Sequence, residues 1–375
     1  MSYQKLFETE ISSEAAKAWK AQGKKAVGTL CCHVPDEILR AADVLPIRMR
    51  ATGCVDASEG ESWMSSFSCS FAKAILQYWL EGVYDLDGIV ASDGCMMPSR
   101  VYDNAQYIDA KKNGSLFFHQ IGAPRINTND LTYSYYVDEL KELIERLEAF
   151  SGVKVTDEKL IEYVNKYNEA RRLVQQILEL CKADHPVVNG QDCLKITMSY
   201  TDYPIEEYIE MLKAFLADAN NRAPITEYRA RLMIIGSALD NPDYLKVIED
   251  KGGLFVCDAL CFGSRPFVGQ CEIKNGDVIG SIASYYLDRL VCPRMMSNRV
   301  ELHDFIIETA KEYKCDGIIY SKLQYCECWG GESVLLEDEL KAAGIPLLTV
   351  EREEHLANAG QLAIRAEAFM EMIEN

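Results

Sequence analysis

The sequence has few basic residues, and it lacks an apolar stretch long enough to cross a membrane. Its 39 Lys and Arg residues stand against 58 Asp and Glu residues, which gives a formal net charge of −19. A charge of that sign repels nucleic-acid backbones and anionic membrane surfaces, so we expect neither as a partner. The apolar runs at 114–118 and 345–350 are far shorter than the roughly 20 residues that a transmembrane helix requires.

Signals for export and for a disulfide framework are also missing. The first ten residues are polar and acidic, unlike the basic and then apolar start of a secretion signal. We therefore expect a cytoplasmic protein whose 14 cysteines are thiols or metal ligands. No pair of them has the C-x2-C spacing of a zinc ribbon or a bacterial ferredoxin. Any metal site must therefore be assembled from distant parts of the chain.

Short apolar segments alternate with amphipathic ones, a pattern typical of a parallel sheet covered by helices. The length of 375 residues favours more than one domain. Strands are predicted over 25–31, 87–92, 116–119, 231–237, 254–258, 316–321 and 346–351. We predict an α/β fold of two Rossmann- or flavodoxin-like parallel-sheet domains, 1–132 and 226–375, with an intervening helical segment at 133–225.

One internal repeat is more informative than any single motif. The segment 87–92 (DGIVAS) is answered by 316–321 (DGIIYS), and a cysteine follows each within a few residues, Cys95 in one case and Cys326 in the other. Ligands of open α/β sheets bind outside the carboxyl ends of the strands. Two similar half-domains that each present a thiol at that end are therefore predicted to face each other across a cleft.

Most of the cysteines fit a structural interpretation, because free cysteine is among the most buried residue types. We assign that interpretation to Cys181, Cys193, Cys257, Cys271 and Cys315. Cys69, Cys95 and Cys326 differ, since their neighbours are small, polar or turn-forming. A thiol at a strand end or helix start has a lowered pKa that suits it to bind metal. Three thiolates can hold an iron–sulfur cluster and leave one iron open, so both interpretations stay open for these three.

Several segments resemble one known family. They are 28–46 (GTLCCHVPDEILRAADVLP), 67–70 (FSCS), 87–95 (DGIVASDGC), 286–294 (YLDRLVCPR), 316–351 and 360–365 (GQLAIR). In this order they resemble the 2-hydroxyacyl-CoA dehydratase and benzoyl-CoA reductase family over essentially the whole chain. The length and the segment 326–330 (CECWG) are most similar to the smaller, beta-type subunit of these enzymes.

The resemblance implies a fold, a cofactor and partners. Each subunit of the family has two α/β domains plus helices and carries a 4Fe-4S cluster on three cysteines, which match Cys69, Cys95 and Cys326. It further implies a larger homologous subunit in a heterodimer, a separate iron–sulfur ATPase as activator, and anaerobic amino-acid fermentation as the setting. We therefore expect a lyase that removes water from an (R)-2-hydroxyacyl-CoA, through a ketyl radical, to give the (E)-2-enoyl-CoA.

The family also contains other activities. In aromatic acyl-CoA reductases and in double-cubane cluster reductases the electron is consumed, and a subunit that only relays electrons to its partner is a third alternative. Many members have Cys-Asp where this chain has Cys95-Met96 and Cys326-Glu327, and Cys328 is an additional candidate ligand. The acyl group is not indicated, because one methylene changes binding by only about 1 to 3 kcal/mol.

Residues outside this cysteine set have competing interpretations. Glu37 is a candidate to move a proton or orient substrate, but a carboxylate in a first helical turn is also explained by the helix dipole. Arg265 suits a CoA phosphate, a partner subunit or a surface ion pair. His33 is interpreted as structural, and Cys31 and Cys32 as cavity lining. Anionic CoA binds only if local basic residues outweigh the net charge, and the candidates for that role are Lys111, Lys112 and Arg125.

Overall fold

The structure is a computed structural model that describes residues 2–112, 114–289 and 292–374. Two four-stranded sheets, each with all of its strands parallel, form its frame. The first sheet contains β1 (Lys25–Leu30), β2 (Val44–Arg48), β3 (Gly88–Ser92) and β4 (Phe117–Ile121). The second contains β5 (Ala230–Gly236), β6 (Gly253–Ala259), β7 (Gly317–Leu323) and β8 (Leu347–Arg352). The predicted α/β class with two parallel sheets is confirmed.

The two sheets have the same strand order. It is β2-β1-β3-β4 in the first sheet and β6-β5-β7-β8 in the second. In each sheet the second strand pairs with one edge of the first strand, and the third strand pairs with its opposite edge. The switch point therefore lies between β1 and β3 in one sheet and between β5 and β7 in the other, and ligands of open α/β sheets bind at such points.

The repeated hexapeptides form the corresponding central strands β3 and β7. The Asp87 carboxylate accepts a hydrogen bond of 3.0 Å from a backbone N–H at the start of β1. The Asp316 carboxylate accepts one of 2.7 Å from the equivalent position of β5. A glycine follows each aspartate, and at Gly88 a Cβ would collide with a backbone oxygen of β4. The shared Asp-Gly of the repeat thus has a structural role, because these residues join the start of each central strand to a neighbouring strand.

Helices cover the sheets and fill the segment between them. The first part of the chain contains α1 (Glu14–Lys20), α2 (Asp36–Ala41), α3 (Ser58–Ser62), α4 (Ser70–Leu80) and α5 (Met96–Lys112). The middle part contains α6 (Asp130–Ser151), α7 (Asp157–Glu179), α8 (Gly190–Ser199) and α9 (Ile205–Asp218). The last part contains α10 (Pro242–Glu249), α11 (Val278–Asp288), α12 (Arg299–Glu312), α13 (Glu327–Gly330), α14 (Glu332–Ala342) and α15 (Ala359–Glu374). Within the described ranges, no helix is both long enough and apolar enough to cross a membrane.

Helix α11 packs away from the sheet that precedes it in the chain. Its Ile282 and Tyr286 belong to the same apolar cluster as Val27 of β1 and Leu140 of α6. The segment 226–375 therefore contributes an element to the core of the first half. The domain boundaries at 132/133 and 225/226 stay predictions. Leu290 and Val291, in the segment 286–294, lie outside the described residues.

Two elements that position the site were not predicted from the sequence. Strand β2 contains Pro46, which lacks a backbone N–H, but β2 lies at the edge of its sheet, where proline is tolerated. Helix α5 has 17 residues and buries few of them, so its apolar pattern is weak. Both elements position the site, because β2 carries Arg48 and α5 begins directly after Cys95.

Candidate metal centre in the cleft between the sheets

Cysteines from both halves of the chain converge beside the carboxyl ends of β3 and β7. Cys95 follows β3 and directly precedes α5, whereas Cys326 follows β7 and directly precedes α13. Cys328 lies in the first turn of α13. Its Sγ atom, Cys95 Sγ and a carboxylate oxygen of Glu327 all lie within 4.8 Å of one another. The two central strand ends therefore face each other, as the internal repeat predicted.

Cys69 joins this group from a different element. It is the residue before α4, and its side chain is 6% exposed. Burial raises the pKa of the Cys69 thiol to about 12, and the nearby Cys326 contributes to the rise. Burial also raises the pKa of Cys326, with Cys328 nearby. The structure thus places Cys69 beside Cys326 and Cys95 beside Cys328, and a metal must displace the thiol protons in order to bind.

The backbone is strained where these thiols are presented. Tyr325, directly before Cys326, has a φ of 62°, and Cys31 at the end of β1 has a φ of 84°. Few residues other than glycine adopt this left-handed region, and strain of this kind concentrates at functional sites. Gly94 is packed so closely that a Cβ there would lie 2.6 Å from Cys31 Sγ. Cys31 therefore lies against the loop that carries Cys95.

A second group of thiols adjoins the first. It comprises Cys31, Cys32, Cys261 and Cys292, of which the first three pack around Met295. A hydrogen bond from Cys31 and the charges of three nearby arginines hold the pKa of Cys32 well below its ordinary value, although burial opposes them. The Cys31 pKa is raised, first by the same hydrogen bond and then by burial. One thiol of this pair is therefore stabilised as a thiolate.

Four arginines surround the second thiol group: Arg48, Arg265, Arg289 and Arg294. Arg265 is 2% exposed, and its Nη2 donates to Cys292 Sγ at 3.5 Å. The other three donate to backbone carbonyls, including those of residues 32, 93 and 261. In the described part of the chain, none of the four has a carboxylate within ion-pair distance, and Arg265 Nε and Nη1 have no hydrogen-bond partner. Unpaired buried guanidinium groups favour an anion beside them.

The structure tests what the sequence indicated for Arg265 and for His33. Because Arg265 is buried, its interpretation as a surface ion pair is wrong. His33 is fully buried, and burial together with the arginine charges lowers its pKa well below the ordinary value, so the ring is neutral. The sequence patterns did not predict roles for Arg48, Arg289 and Arg294. Arg289 and Arg294 lie in the family-like segment 286–294, but no periodicity marks an arginine as buried.

Glu37 lies at the start of α2, as predicted, and it is fully buried. Its carboxylate forms an ion pair with Arg171 of α7 and accepts a 2.7 Å hydrogen bond from Tyr286 Oη. Burial alone would raise its pKa, but Arg171 and Tyr286 outweigh that effect and lower it. Two partners thus hold this carboxylate ionised, an arrangement typical of a structural ion pair. A catalytic role for Glu37 stays a prediction.

The cysteines interpreted as structural lie in apolar surroundings. Cys181 and Cys193 form a buried thiol pair with 3.4 Å between their Sγ atoms, and Cys257 and Cys315 form a second pair at 3.5 Å. Cys271 is buried in the cluster between α6 and α11. None of these five belongs to the Cys95, Glu327 and Cys328 group.

The chemistry of the cleft fits an iron–sulfur cluster. The donors are thiols, the ligand type that iron–sulfur clusters require, and they come from both halves of the chain. The adjoining arginines help lower the pKa of Cys32 in the second thiol group. Among the described residues, the ligand atoms of Cys95, Glu327 and Cys328 lie mutually within 4.8 Å, and the assignment of Cys69, Cys95 and Cys326 as cluster ligands stays a prediction.

Comparisons with known proteins identify the family. A family model described as 2-hydroxyglutaryl-CoA dehydratase, D-component, matches residues 31–373. The chain is 23% identical over 358 residues to the (R)-phenyllactyl-CoA dehydratase beta subunit of Clostridium sporogenes, covering 95% of this chain and 94% of that protein. It is 25% identical over 362 residues to a benzoyl-CoA reductase subunit of Thauera aromatica, covering 94% and 92%. It is 24% identical over 367 residues to the (R)-2-hydroxyglutaryl-CoA dehydratase beta subunit of Acidaminococcus fermentans, covering 95% and 94%. The resemblance carried by the motif order is confirmed, and the chain belongs to the 2-hydroxyglutaryl-CoA dehydratase D-component family.

Proposed function

We propose that this chain is the smaller, iron–sulfur subunit of an (R)-2-hydroxyacyl-CoA dehydratase, a hydro-lyase that forms the (E)-2-enoyl-CoA. The observation that carries the proposal is the convergence of thiols from both halves of the chain in one cleft. The names of two of the relatives, dehydratase beta subunits, support the reaction type. The acyl group is left open, because none of the residues described above selects one.

The cofactor in this proposal is a 4Fe-4S cluster on Cys69, Cys95 and Cys326. When bound, such a cluster supplies single electrons at low potential. The chain contributes three thiols, and burial raises the pKa of Cys69 and of Cys326, so the metal displaces their protons when it binds. Cys69 is nearly closed off from water, so the protein also limits access of solvent to this side of the site.

The chemistry of the substrate explains why an electron is needed. The proton on C3 of a 2-hydroxyacyl-CoA is not acidified by the thioester, so an acid–base elimination has no stabilised carbanion. In the proposed reaction one electron reduces the thioester carbonyl to a ketyl radical, hydroxide leaves from C2, and the C3 proton then becomes acidic. The electron returns when the enoyl-CoA forms, so water is lost without net oxidation or reduction. ATP is needed only to prime the first electron through the activator.

Exposed apolar side chains border the predicted ligands and support a protein partner. Phe67, Met96 and Tyr325 lie within two residues of Cys69, Cys95 and Cys326, and they are 70%, 48% and 46% exposed. The rings of Phe67 and Tyr325 are in contact, with centroids 5.5 Å apart. We assign this apolar rim to contact with the larger homologous subunit, since exposed apolar patches mark protein interaction sites. An iron–sulfur ATPase is the proposed activator.

An acyl-CoA reductase subunit is the second candidate, and the benzoyl-CoA reductase subunit among the relatives favours it. The two candidates differ in their electron balance. A reductase consumes electrons and ATP in proportion to product, whereas a dehydratase requires only catalytic amounts of both. Net reduction of the acyl-CoA with stoichiometric ATP would therefore select the reductase.

The first experiment measures iron and acid-labile sulfide in anaerobically purified protein, co-expressed with the larger subunit. We expect about four irons per chain, and in Cys69→Ala, Cys95→Ala and Cys326→Ala the irons of this subunit should be lost while those of the larger subunit remain. Cys193→Ala is the matched control, because this buried thiol lies outside the proposed ligand set. Loaded protein with activator and catalytic ATP should then convert a 2-hydroxyacyl-CoA to the enoyl-CoA. A well-folded wild-type chain without iron would contradict the proposal.

A further inference from the structure

We infer that Cys257 and Cys315 form a dithiol site that reacts with small-molecule disulfides and is converted to a protein disulfide. The site lies beside the start of β7, whereas the cleft lies beyond the carboxyl end of that strand. It involves none of the proposed cluster ligands, so the inference does not depend on whether a cluster forms. The sequence had indicated only a structural role for these two thiols.

The two sulfur atoms are already in contact. Cys257 lies in β6, and Cys315 lies in the connection between α12 and β7. Their Sγ atoms are 3.5 Å apart. A disulfide bond is about 2.05 Å long, so the sulfurs have to approach each other by about 1.5 Å. Because Cys315 is outside the regular elements, a shift of this size requires no change in strand pairing.

A β-bulge in β6 brings Cys257 to the face of the sheet on which Cys315 lies. The pairing of β6 with β5 skips one residue of β6 directly before Cys257. Phe255 and its partner Leu232 belong to one apolar cluster. Cys257 and Cys315 both pack against another cluster, which contains Met233, the partner of Cys257. In a regular strand Cys257 would share the face of Phe255, and bulges that re-aim a side chain in this way are frequent at functional sites.

Access distinguishes this outer pair from an inner pair of thiols. The inner pair is Cys181 and Cys193, whose Sγ atoms are 3.4 Å apart and whose side chains are 1% and 6% exposed. Cys257 and Cys315 are half-buried, and Cys257 lines a surface cavity of about 250 Å³. A small disulfide can therefore reach the outer pair, and the inner pair is a control with nearly the same sulfur spacing.

The reaction consists of two thiol–disulfide exchanges. Burial and the neighbouring Cys315 raise the pKa of Cys257 well above its ordinary value, so we assign the first attack to Cys315. The Cys315 thiolate bonds to one sulfur of the small disulfide and releases the other sulfur as a thiolate. Cys257 then gives up its proton and bonds to the Cys315 sulfur, which releases the second small thiolate. The protein dithiol loses two electrons, and the small disulfide gains them and becomes two thiols.

The test incubates anaerobically purified protein with mixtures of reduced and oxidised glutathione. The remaining thiols are alkylated in denaturant, and linked peptides are identified by mass spectrometry. In wild type we expect a peptide pair joined through Cys257 and Cys315, whereas Cys181 and Cys193 should be alkylated. In Cys257→Ser the second exchange is blocked, so Cys315 should retain a bound glutathione that it does not retain in wild type.

The wild-type protein alone can overturn the inference. Alkylation of both Cys257 and Cys315, even after incubation with oxidised glutathione alone, would exclude the site. A disulfide between Cys181 and Cys193 that forms as readily as the outer one would also overturn it, because access would then not select the pair. An iron-free chain that still forms the outer disulfide would contradict the proposed function and support this site, so failure of the two ideas can be distinguished.

Discussion

Replacing Glu37 by glutamine is expected to destabilise the protein severely, because it leaves Arg171 as an unpaired buried charge. The Glu37 side chain is 0% exposed and that of Arg171 is 4% exposed. Removing one member of a buried ion pair costs about 3 to 5 kcal/mol. Since whole proteins are stable by only about 5 to 15 kcal/mol, this single change removes a large share of the total.

Two companion variants separate the ion pair from other effects. Arg171→Met alone leaves Glu37 as an unpaired buried carboxylate and should be comparably destabilising. The double variant removes both charges, so no uncompensated buried charge remains, and that charge is what makes removal of one partner costly. We therefore expect the double variant to be more stable than either single variant, with a coupling energy of about 2 kcal/mol or more.

The assay is urea unfolding followed by circular dichroism, with the midpoints compared at pH 7 and at lower pH. Arg171 and Tyr286 lower the pKa of Glu37 in the folded state, so its contribution to stability is complete above the ordinary pKa of 4.5 and declines as pH falls through the folded value. The gap between wild type and Glu37→Gln should therefore shrink below about pH 4.5. A Glu37→Gln midpoint equal to that of wild type at pH 7 would refute the reasoning. If the double variant folds but has lost dehydration activity, Glu37 also acts in the reaction.

Three other changes test the fold and the partner surface. Burial and Arg146 lower the pKa of His119 to about 4, so the free energy of unfolding of wild type should fall by up to about 3 kcal/mol between pH 6.5 and pH 4. The variant His119→Gln should lack that decrease. Parallel curves of urea midpoint against pH for the two proteins would exclude it. Gly236→Ala should lower the melting temperature at least twice as much as Gly23→Ala. At Gly236 φ is 128° and a Cβ would collide with Ser321 O, whereas Gly23 faces open space. Equal decreases in melting temperature would contradict this packing. Phe67→Ser should weaken co-purification of the larger subunit without changing the melting temperature. Leu131 on α6 is 77% exposed, and Leu131→Ser should leave co-purification unchanged. Intact assembly of Phe67→Ser would show that the apolar rim is not part of the interface.

The internal repeat explains why part of the site could be predicted from the sequence. DGIVAS and DGIIYS mark the two central strands, and a residue just beyond a central parallel strand necessarily lies at the carboxyl edge of its sheet. That reasoning placed Cys95 and Cys326. It did not predict the contact between Cys95 and Cys328, because that contact depends on how the two halves are oriented, which no local pattern encodes. Strand β2 was missed for a different reason: its Pro46 is typical of a loop, and it is tolerated here only because β2 is an edge strand.

The buried arginines show that net charge and local potential lead to different conclusions about ligands. The net charge of −19 argues against nucleic acid and anionic membranes, which present extended surfaces to the whole protein. A cleft responds to the charges that line it, because water and salt screen the distant carboxylates far more than the buried guanidinium groups. Three of the basic residues proposed from the sequence for CoA, Lys111, Lys112 and Arg125, are exposed, and Arg125 is paired with Asp93 at 3.3 Å. Arg265 is 2% exposed and has two nitrogens without a hydrogen-bond partner, so it can still bind an anion. The net charge therefore does not decide whether the cleft can hold an anion, because Arg48, Arg265 and Arg294 are buried there and the distant carboxylates are screened.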